Sequence, residues 1–478
     1  MFVIVNWRDR DHPESGGAEL VCEELASRIA ARGHEVVLLT SRPPGAPATE
    51  LRAGFRIVRR GGKFTVYPLA LVWLFLHRRR IDSVLDSQNG IPFFSPIAVG
   101  RNVPIVMLLH HIHQDQFGQY FPKFLARVGQ ILESTVSRVV YGRRRVAAVS
   151  PSTRRDARQR LGLRGDIHVV PPGCDIPITL RPHLERAEAP RIVCVGRLVP
   201  HKRTELIVEA VEQLRDRVPD LELHIVGDGP ARARLEALVA ERGLGDRVVL
   251  HGPLPSHERD ALVATAWLTV NASHGEGWGL SVIEANAMGI PVVAFRRPGL
   301  RDSIRNGRTG WLVVEGESLA ATIDKAIDEL RDPARADAYS SEARSWVARF
   351  SWEEMCEQML AIVEAERGRL RHQPDDRRIH TDLSVVAHLD TSVLPDGWRP
   401  QFRLTDRWSM QPSGLTVLLS GADTESARLA LLRAGIPTAT IDGPGVRIAV
   451  ARPVDLIAPE LGSLAVASGD RSDSTLVG

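Results

Sequence analysis

The sequence predicts an α/β protein. Two doubly wound units face each other across a cleft, and a small C-terminal α/β appendage follows. Three observations carry this. Short apolar runs alternate with helix-period segments along most of the 478 residues, too long a chain for one core. The rhythm breaks at the proline-rich VVPPGCDIPITLRPHLERAEAP (169–190) and then restarts. A polar break, RHQPDDRRIHTD (371–382), sets off the remainder. The expected units are residues 1–175, 176–370 and 383–478.

In the first unit, FVIVN (2–6), EVVLLT (35–40), PIVMLL (104–109) and VAAVS (146–150) read as strands. Helices lie between them. Gly17 to Arg32 places Leu20, Val21, Leu25 and Ile29 at helical spacing. Phe121 to Tyr141 places Phe124, Leu125, Val128, Ile131, Leu132 and Val136 on one side. Phe64–Leu76 is too short to cross a bilayer, which needs ~20 residues. It reads as a buried helix, with a helix lying on a membrane as the alternative. In the second unit the strands are RIVCVG (191–196), LELHIVG (221–227), RVVLHG (247–252), LTVNA (268–272), PVVAF (291–295) and GWLVV (310–314). Helices separate them, and SWEEMCEQMLAIVEAERGRL (351–370) closes the unit. βα repetition of this kind gives a parallel sheet covered on both faces. The appendage shows a strand (415–421), a helix (422–436) and a strand (446–451), and no chemical motif.

Composition is that of an ordinary globular chain, 44% hydrophobic and 25% charged, and a net charge of +3 gives no general pull toward nucleic acid. Arg78–Arg80 and Arg143–Arg145 are local basic clusters, either solvated surface or a docking face for anionic lipid. The cysteines Cys22, Cys174, Cys194 and Cys356 lack metal-ligand spacing and read as reduced. With no signal peptide after Met1, a cytoplasmic location is expected, with attachment to the inner face of a membrane allowed.

Chemistry concentrates at strand ends, where doubly wound folds bind ligands. In HGEGWGLSVIE (274–284), Gly275, Gly277 and Gly279 join a strand to a helix. Such a turn brings backbone N–H groups to a ligand, and the helix start adds positive potential, so a phosphate fits. Glu284 is then either a capping-box partner of Ser281 or a carboxylate that clamps vicinal hydroxyls. Glu276 is a solvated loop residue or faces sugar hydroxyls. Arg197 and Lys202 follow the strand ending at Gly196, and two cations there neutralise a diphosphate unless they are plain surface charge. Gly16-Gly17 opens a helix after the first strand and suits close approach to a phosphate or sugar, or merely flexes. His110, His111 and His113 follow another strand. They fit a sugar contact or a structural role better than a metal, for which the spacing lacks partners.

Together these segments resemble the retaining GT-B glycosyltransferases of family 4. SGGAE (15–19), VSPSTRRD (149–156), VVPPGCD (169–175), VGRLVPHK (195–202), IVGDGP (225–230), the E-x7-E stretch and GRTGWLV (307–313) occur in that family's order, covering roughly residues 1–368. The resemblance implies a GT-B fold of two Rossmann-like domains. It also implies transfer of a sugar from a nucleoside-diphosphate sugar to an acceptor hydroxyl, with retention and without a cofactor or metal. The acceptor is a glycan, a lipid-linked compound or a small molecule. Catalytic work would fall to Glu276, Arg197, Lys202 and His110. Glu276 would lie by the donor sugar, Glu284 would hold the ribose, and the amides of Gly277, Trp278, Gly279 and Leu280 would meet the diphosphate. Gly16 and Gly17 would approach it from the facing domain. Counting from Pro104 favours His110 over His111 as the sugar contact. One departure stands out: the usual glycine after the motif lysine is Arg203. A non-catalytic nucleotide-sugar scaffold or sensor is the nearer alternative. An NADP oxidoreductase is remote, because GEGWG has GxGxG spacing and Glu276 and Trp278 would crowd the pyrophosphate.

Overall fold

Continuous aliphatic runs build the first sheet, as strands buried on both faces require. The computed structural model describes residues 1–174, 185–371, 383–395, 398, 402–403, 406–443, 445–451 and 465–466. The sheet comprises β1 (Phe2–Val5), β2 (Val36–Thr40), β3 (Thr49–Arg52), β4 (Phe55–Arg59), β5 (Ser83–Asn89), β6 (Ile105–His111), β7 (Val146–Ala148) and β8 (Ile167–Val169). Their order is β3-β4-β2-β1-β5-β6-β7-β8, parallel except for the β3/β4 pair. The winding reverses between β1 and β5. On one face Ile4 and Leu38 pack on Val21, Leu25 and Ile29 of the helix Gly17–Ala31. On the other, Val3 and Val5 pack on Val66, Ala70 and Leu74.

The second sheet is wholly parallel: β9 (Arg191–Val195), β10 (Glu222–Val226), β11 (Val248–Gly252), β12 (Leu268–Asn271), β13 (Val292–Phe295) and β14 (Gly310–Val313), in the order β11-β10-β9-β12-β13-β14. It reverses between β9 and β12. The loops after β1, β5 and β6 of one lobe therefore meet those after β9 and β12 of the other, at the two switch points.

Sequence grouped the helix Trp352–Arg371 with the second unit, but the structure packs it on the first. Met355, Met359 and Ile362 join the cluster of Val21, Leu25 and Leu85. The segment before it runs back beside the first crossing, where Cys174 N–H donates to the Phe350 carbonyl at 3.1 Å. Arg144 fixes the far end, its Nη1 3.3 Å from the fully buried Glu366. Arg144 and Arg145 are thus buried ties rather than solvated surface or a docking face.

The helix expected over 121–141 is broken into Lys123–Ile131, a π-turn Leu132–Val136 and Ser137–Tyr141. Its apolar side faces outward: Phe124, Leu125, Val128 and Ile131 are exposed. The helix Val66–His77, expected to be buried, sinks only Val66, Ala70 and Leu74 and leaves Leu69, Val72, Phe75 and Leu76 open.

The appendage sheet is antiparallel: β15 (Ser384–Asp390), β16 (Arg407–Gln411), β17 (Gly414–Ser420), β18 (Val446–Val450) and β19 (Ala465–Val466), in the order β18-β15-β17-β16-β19. The helix Thr424–Arg433 covers it through Ala427 and Leu431. Parts of the expected linker (175–184), of the polar break (372–382) and of the C-terminal stretch (452–464, 467–478) lie outside the described residues.

Candidate active site

The loop after β1 is fixed by charge. Arg59, fully buried, is paired with the equally buried Asp9, and its Nη2 also reaches Asp11 and Glu50 at 2.8 Å. Arg8 is 3% exposed and donates to Glu19 Oε1 at 3.1 Å. Glu19 in turn accepts from the Gly16 N–H at 2.7 Å, which sets the start of the helix Gly17–Ala31. Gly17 faces the other lobe so closely that a Cβ there would lie 2.7 Å from Leu280 Cδ1. The Gly-Gly pair therefore serves close approach between lobes.

From the second lobe, Arg197 crosses the cleft and donates to the Glu14 carbonyl at 3.2 Å. Burial and the neighbouring Arg8 both push its pKa down. Lys202 Nζ pairs with Glu276 Oε1 at 2.5 Å, and Ser273 Oγ donates to the same oxygen at 2.7 Å. Burial opposes ionisation of Glu276, but the Lys202 ammonium and these hydrogen bonds prevail and hold its carboxyl at about 2. Glu276 is thus an ionised acceptor, unable to serve as a proton donor near neutrality.

The glycine turn behaves as a phosphate receptor should. Gly279 is left-handed (φ +89°) and caps the helix Leu280–Ala287. Among the described residues, no acceptor takes the N–H groups of Gly277, Trp278, Gly279 or Leu280. A Cβ on Gly277 would lie 1.9 Å from the His110 carbonyl, so only glycine lets the lobes meet there. The Trp278 indole turns away and packs edge-on against Phe350, 5.0 Å between centroids.

The capping-box alternative for Glu284 does not hold. Gly279 is the cap, so Ser281 sits within the first turn, and no side chain caps this helix. Glu284 lines a small pocket with Asn271, Ser281 and Arg259. Burial pushes its pKa up. Glu284 is half-buried and has no hydrogen-bond partner among the described residues, as a hydroxyl clamp requires.

The histidines reverse the expected preference. The His110 imidazole points into its own lobe: Nε2 is 2.9 Å from Ser87 Oγ, which donates to Asn6 Oδ1 at 2.8 Å. His111 faces the cleft, where Glu276 and Lys202 act on it electrostatically and Gly275 lies alongside. Burial lowers both histidines, to about 3 for His110 and about 4 for His111, so both are neutral hydrogen-bonding groups. A one-residue offset decides which points inward, because successive strand side chains alternate. β6 pairs irregularly with β5 near this end, a shift that counting along the sequence misses. His113 lies under the loop, Nδ1 3.2 Å from the His111 carbonyl.

Sequence reasoning missed several contributors. Arg8 follows the first strand and carried no motif. Tyr120 OH meets His201 Nδ1 across the cleft at 2.8 Å. Glu133, at the π-turn, accepts from His113 N–H and Gln114 Nε2, both at 2.7 Å, and so holds the histidine loop. Only the unusual burial of a glutamate within an apolar helix pattern could have signalled it.

Comparison with known proteins bears on the family and the fold. The Glycosyltransferase Family 4 model matches residues 15–176, and the Glycosyl transferases group 1 model matches residues 175–346. The D-inositol 3-phosphate glycosyltransferase of Acidothermus cellulolyticus is 33% identical, over 73% of this chain and 85% of that one. The GDP-mannose-dependent alpha-(1-6)-phosphatidylinositol monomannoside mannosyltransferase of Mycolicibacterium smegmatis is 28% identical, over 70% of this chain and 91% of that one. In fold, the sucrose-phosphate synthase of Thermosynechococcus elongatus superposes with a TM-score of 0.62 at 23% identity, covering 75% of this chain and 96% of that one. The two lobes, their matched order and the cleft between their switch points agree: the chain belongs to the group 1, family 4 glycosyltransferases and has their GT-B fold.

Proposed function

We propose that this glycosyltransferase takes a nucleoside-diphosphate sugar and transfers the sugar, with retention and without a metal, to an acceptor hydroxyl. The observation that carries the donor reading is the run of unpartnered amides from Gly277 to Leu280 beside Arg197 and Lys202. Together they offer fixed positive potential where a leaving diphosphate gathers charge, the role a metal ion would otherwise fill. Glu276 and His111 then hydrogen-bond the sugar, and Glu284 takes the ribose hydroxyls. Since Glu276 is ionised and His111 neutral, neither is poised to exchange a proton near neutral pH. The acceptor's proton passes instead to the departing phosphate oxygen on the same face, which gives retention. The intact set of Arg197, Lys202, Glu276 and Glu284 argues against a scaffold or sensor.

For the acceptor, the exposed apolar side chains favour a lipid-linked compound presented at an anionic membrane surface. The two open helix faces adjoin where the Phe64 and Phe121 rings lie 6.5 Å apart, and Arg78–Arg80, Lys123 and Arg127 flank them. No helix among the described residues is long and apolar enough to cross a membrane. The first relative above is named for inositol 3-phosphate and the second for a phosphatidylinositol mannoside and GDP-mannose, so phosphorylated inositols and GDP-mannose are the first compounds to try.

The test is a calorimetric panel of nucleoside diphosphates, then transfer assays with the matching donors in EDTA, with the product anomer assigned by NMR. Binding of one nucleotide, EDTA-resistant turnover and a retained anomer are expected. An inverted anomer removes the proposed proton route, and binding without any turnover revives the sensor.

A further inference from the structure

Behind the donor loop lies a cavity of about 440 Å³ that the reaction does not use. It opens where the two lobes and the appendage meet. Pro151 and Pro171 line it from the first lobe, Trp278, Arg301 and Arg305 from the second, and Arg428 and Arg447 from the appendage. Its wall carries five arginines (301, 305, 349, 428, 447) against three carboxylates (302, 354, 425), with Asp442 paired to the arginines from outside the lining. Three of those arginines share one carboxylate: Asp442 lies 2.5 Å from Arg349 Nη1, 2.7 Å from Arg428 Nη2 and 3.7 Å from Arg305 Nη2. Asp302 is spent on the N–H groups of Ser152 and Gly299. Among the described residues neither Arg301 nor Arg447 has a carboxylate at ion-pair distance. Burial raises the remaining acids, Glu354 to about 7 and Glu425 upward, which weakens their counter-charge.

A second observation is independent of charge. Among the described residues, Trp278 Nε1, Arg305 Nε and Gln358 Oε1, all on this wall, are buried without a hydrogen-bond partner. Trp278 and Gln358 are each 4% exposed. Orphaned buried polar groups on a roomy wall are rare and point to a missing partner. The surplus of guanidinium forks asks for an anion, and the stranded Gln358 oxygen asks for a hydroxyl.

We propose that this cavity is a second small-molecule site, separate from the donor cleft, taking a phosphorylated polyol whose phosphate lies among the arginines and whose hydroxyls reach Gln358.

The experiment titrates inorganic phosphate and glycerol 3-phosphate into the full chain by calorimetry, with GDP and UDP present at saturation to fill the donor cleft. Binding of both probes is expected, glycerol 3-phosphate more tightly. Arg305→Gln should weaken both at least tenfold, and Gln358→Leu should weaken glycerol 3-phosphate alone. Because Arg305 also stacks on Trp346 at 3.9 Å and its loss can disturb folding, Arg447→Gln is the second variant. Arg447 is exposed and unpaired among the described residues, so its variant keeps the fold and should weaken both probes several-fold. Absence of binding to the wild-type chain overturns the proposal, as does binding that Arg305→Gln and Arg447→Gln both leave unchanged.

Discussion

Arg203 shows how one residue can depart from a family pattern. Its backbone is left-handed (φ +50°, ψ +41°), the conformation that makes glycine usual at this place. For other residues that region costs about 1–2 kcal/mol. The side chain offsets it: Nε donates to the Ala272 carbonyl at 2.8 Å, and the guanidinium lies 4.7 Å from the Phe295 ring centroid. Arg203→Gly should therefore change stability by no more than about 1 kcal/mol, because relief of strain and loss of the tie cancel. Arg203→Ala keeps the strain and loses the tie, so it should cost about 2–3 kcal/mol in denaturant melts. An alanine variant more stable than the glycine variant would remove this account. Lys202 is the second case. Lys202→Ala leaves the part-buried Glu276 carboxylate with Ser273 alone, and kcat/KM should fall about 10²–10³-fold. The acid limb of the pH–rate profile should also move up, since the main influence holding Glu276 near 2 is gone. A large loss of rate with an unmoved acid limb would show that Lys202 acts on the donor alone. Lys202 was legible as a site candidate because a cation after a strand end has few structural reasons to be there. The His110/His111 choice was not legible, because it turns on a local irregularity of strand pairing.

At the scale of elements, long periodic segments were readable and short polar ones were not. Strand β5, SVLDSQN, escaped notice because Asp86, Ser87 and Gln88 are polar yet buried at the sheet's carboxyl end. Ser95 and Tyr141 donate to Asp86, and Ser87 serves His110, so Asp86 and Ser87 are satisfied inside the lobe. The helix after β6 was readable by period, but its apolar stripe faces outward, which no periodicity reveals. Its π-turn places Glu133 beneath the histidine loop, and burial raises that carboxyl to about 7, above its ordinary value near 4.5. The sign follows: the folded state holds the proton more tightly, so the contribution is complete below the ordinary pKa. It is lost as pH rises through about 7. Wild-type stability should fall between pH 5 and pH 7 relative to Glu133→Gln, with the gap constant above pH 8. Glu354, raised to a similar value, is present in both chains and cancels. Parallel stability–pH curves for the two proteins would show that Glu133 titrates as an ordinary surface acid.

At the scale of the whole molecule, the proline-rich break and the polar break suggested three units, but the connections between them left no trace in local pattern. The appendage grips both lobes through two aspartates far away in sequence. Asp423 accepts from Arg154 Nη1 at 3.0 Å and from the Val169 N–H at 2.6 Å, both in the first lobe. Asp442 takes Arg349 and Arg305 of the second. These ties lie beside the paired crossings at Cys174 and Phe350, where a GT-B protein must bend if its lobes are to part and admit a donor. The appendage thus lies as a strap across these crossings, the expected hinge. Asp423→Ala cuts the tie to the first lobe and also uncaps the helix Thr424–Arg433, where the Ser426 N–H donates to Asp423 Oδ1 at 2.6 Å. It orphans the Val169 amide, for about 1–3 kcal/mol, and leaves Arg154 with the Ser426 hydroxyl alone. The variant should melt earlier, and amide hydrogen exchange should quicken in the appendage strands Ser384–Asp390 and Gly414–Ser420. Asp390→Ala, at an exposed position on the same sheet, should match the wild type in both respects. If donor entry requires the hinge to open, the strap also sets its rate: Asp423→Ala should then bind nucleotide with a faster association phase in stopped flow. Equal association rates combined with an earlier melt would confine Asp423 to holding the appendage in place and leave the hinge free of it.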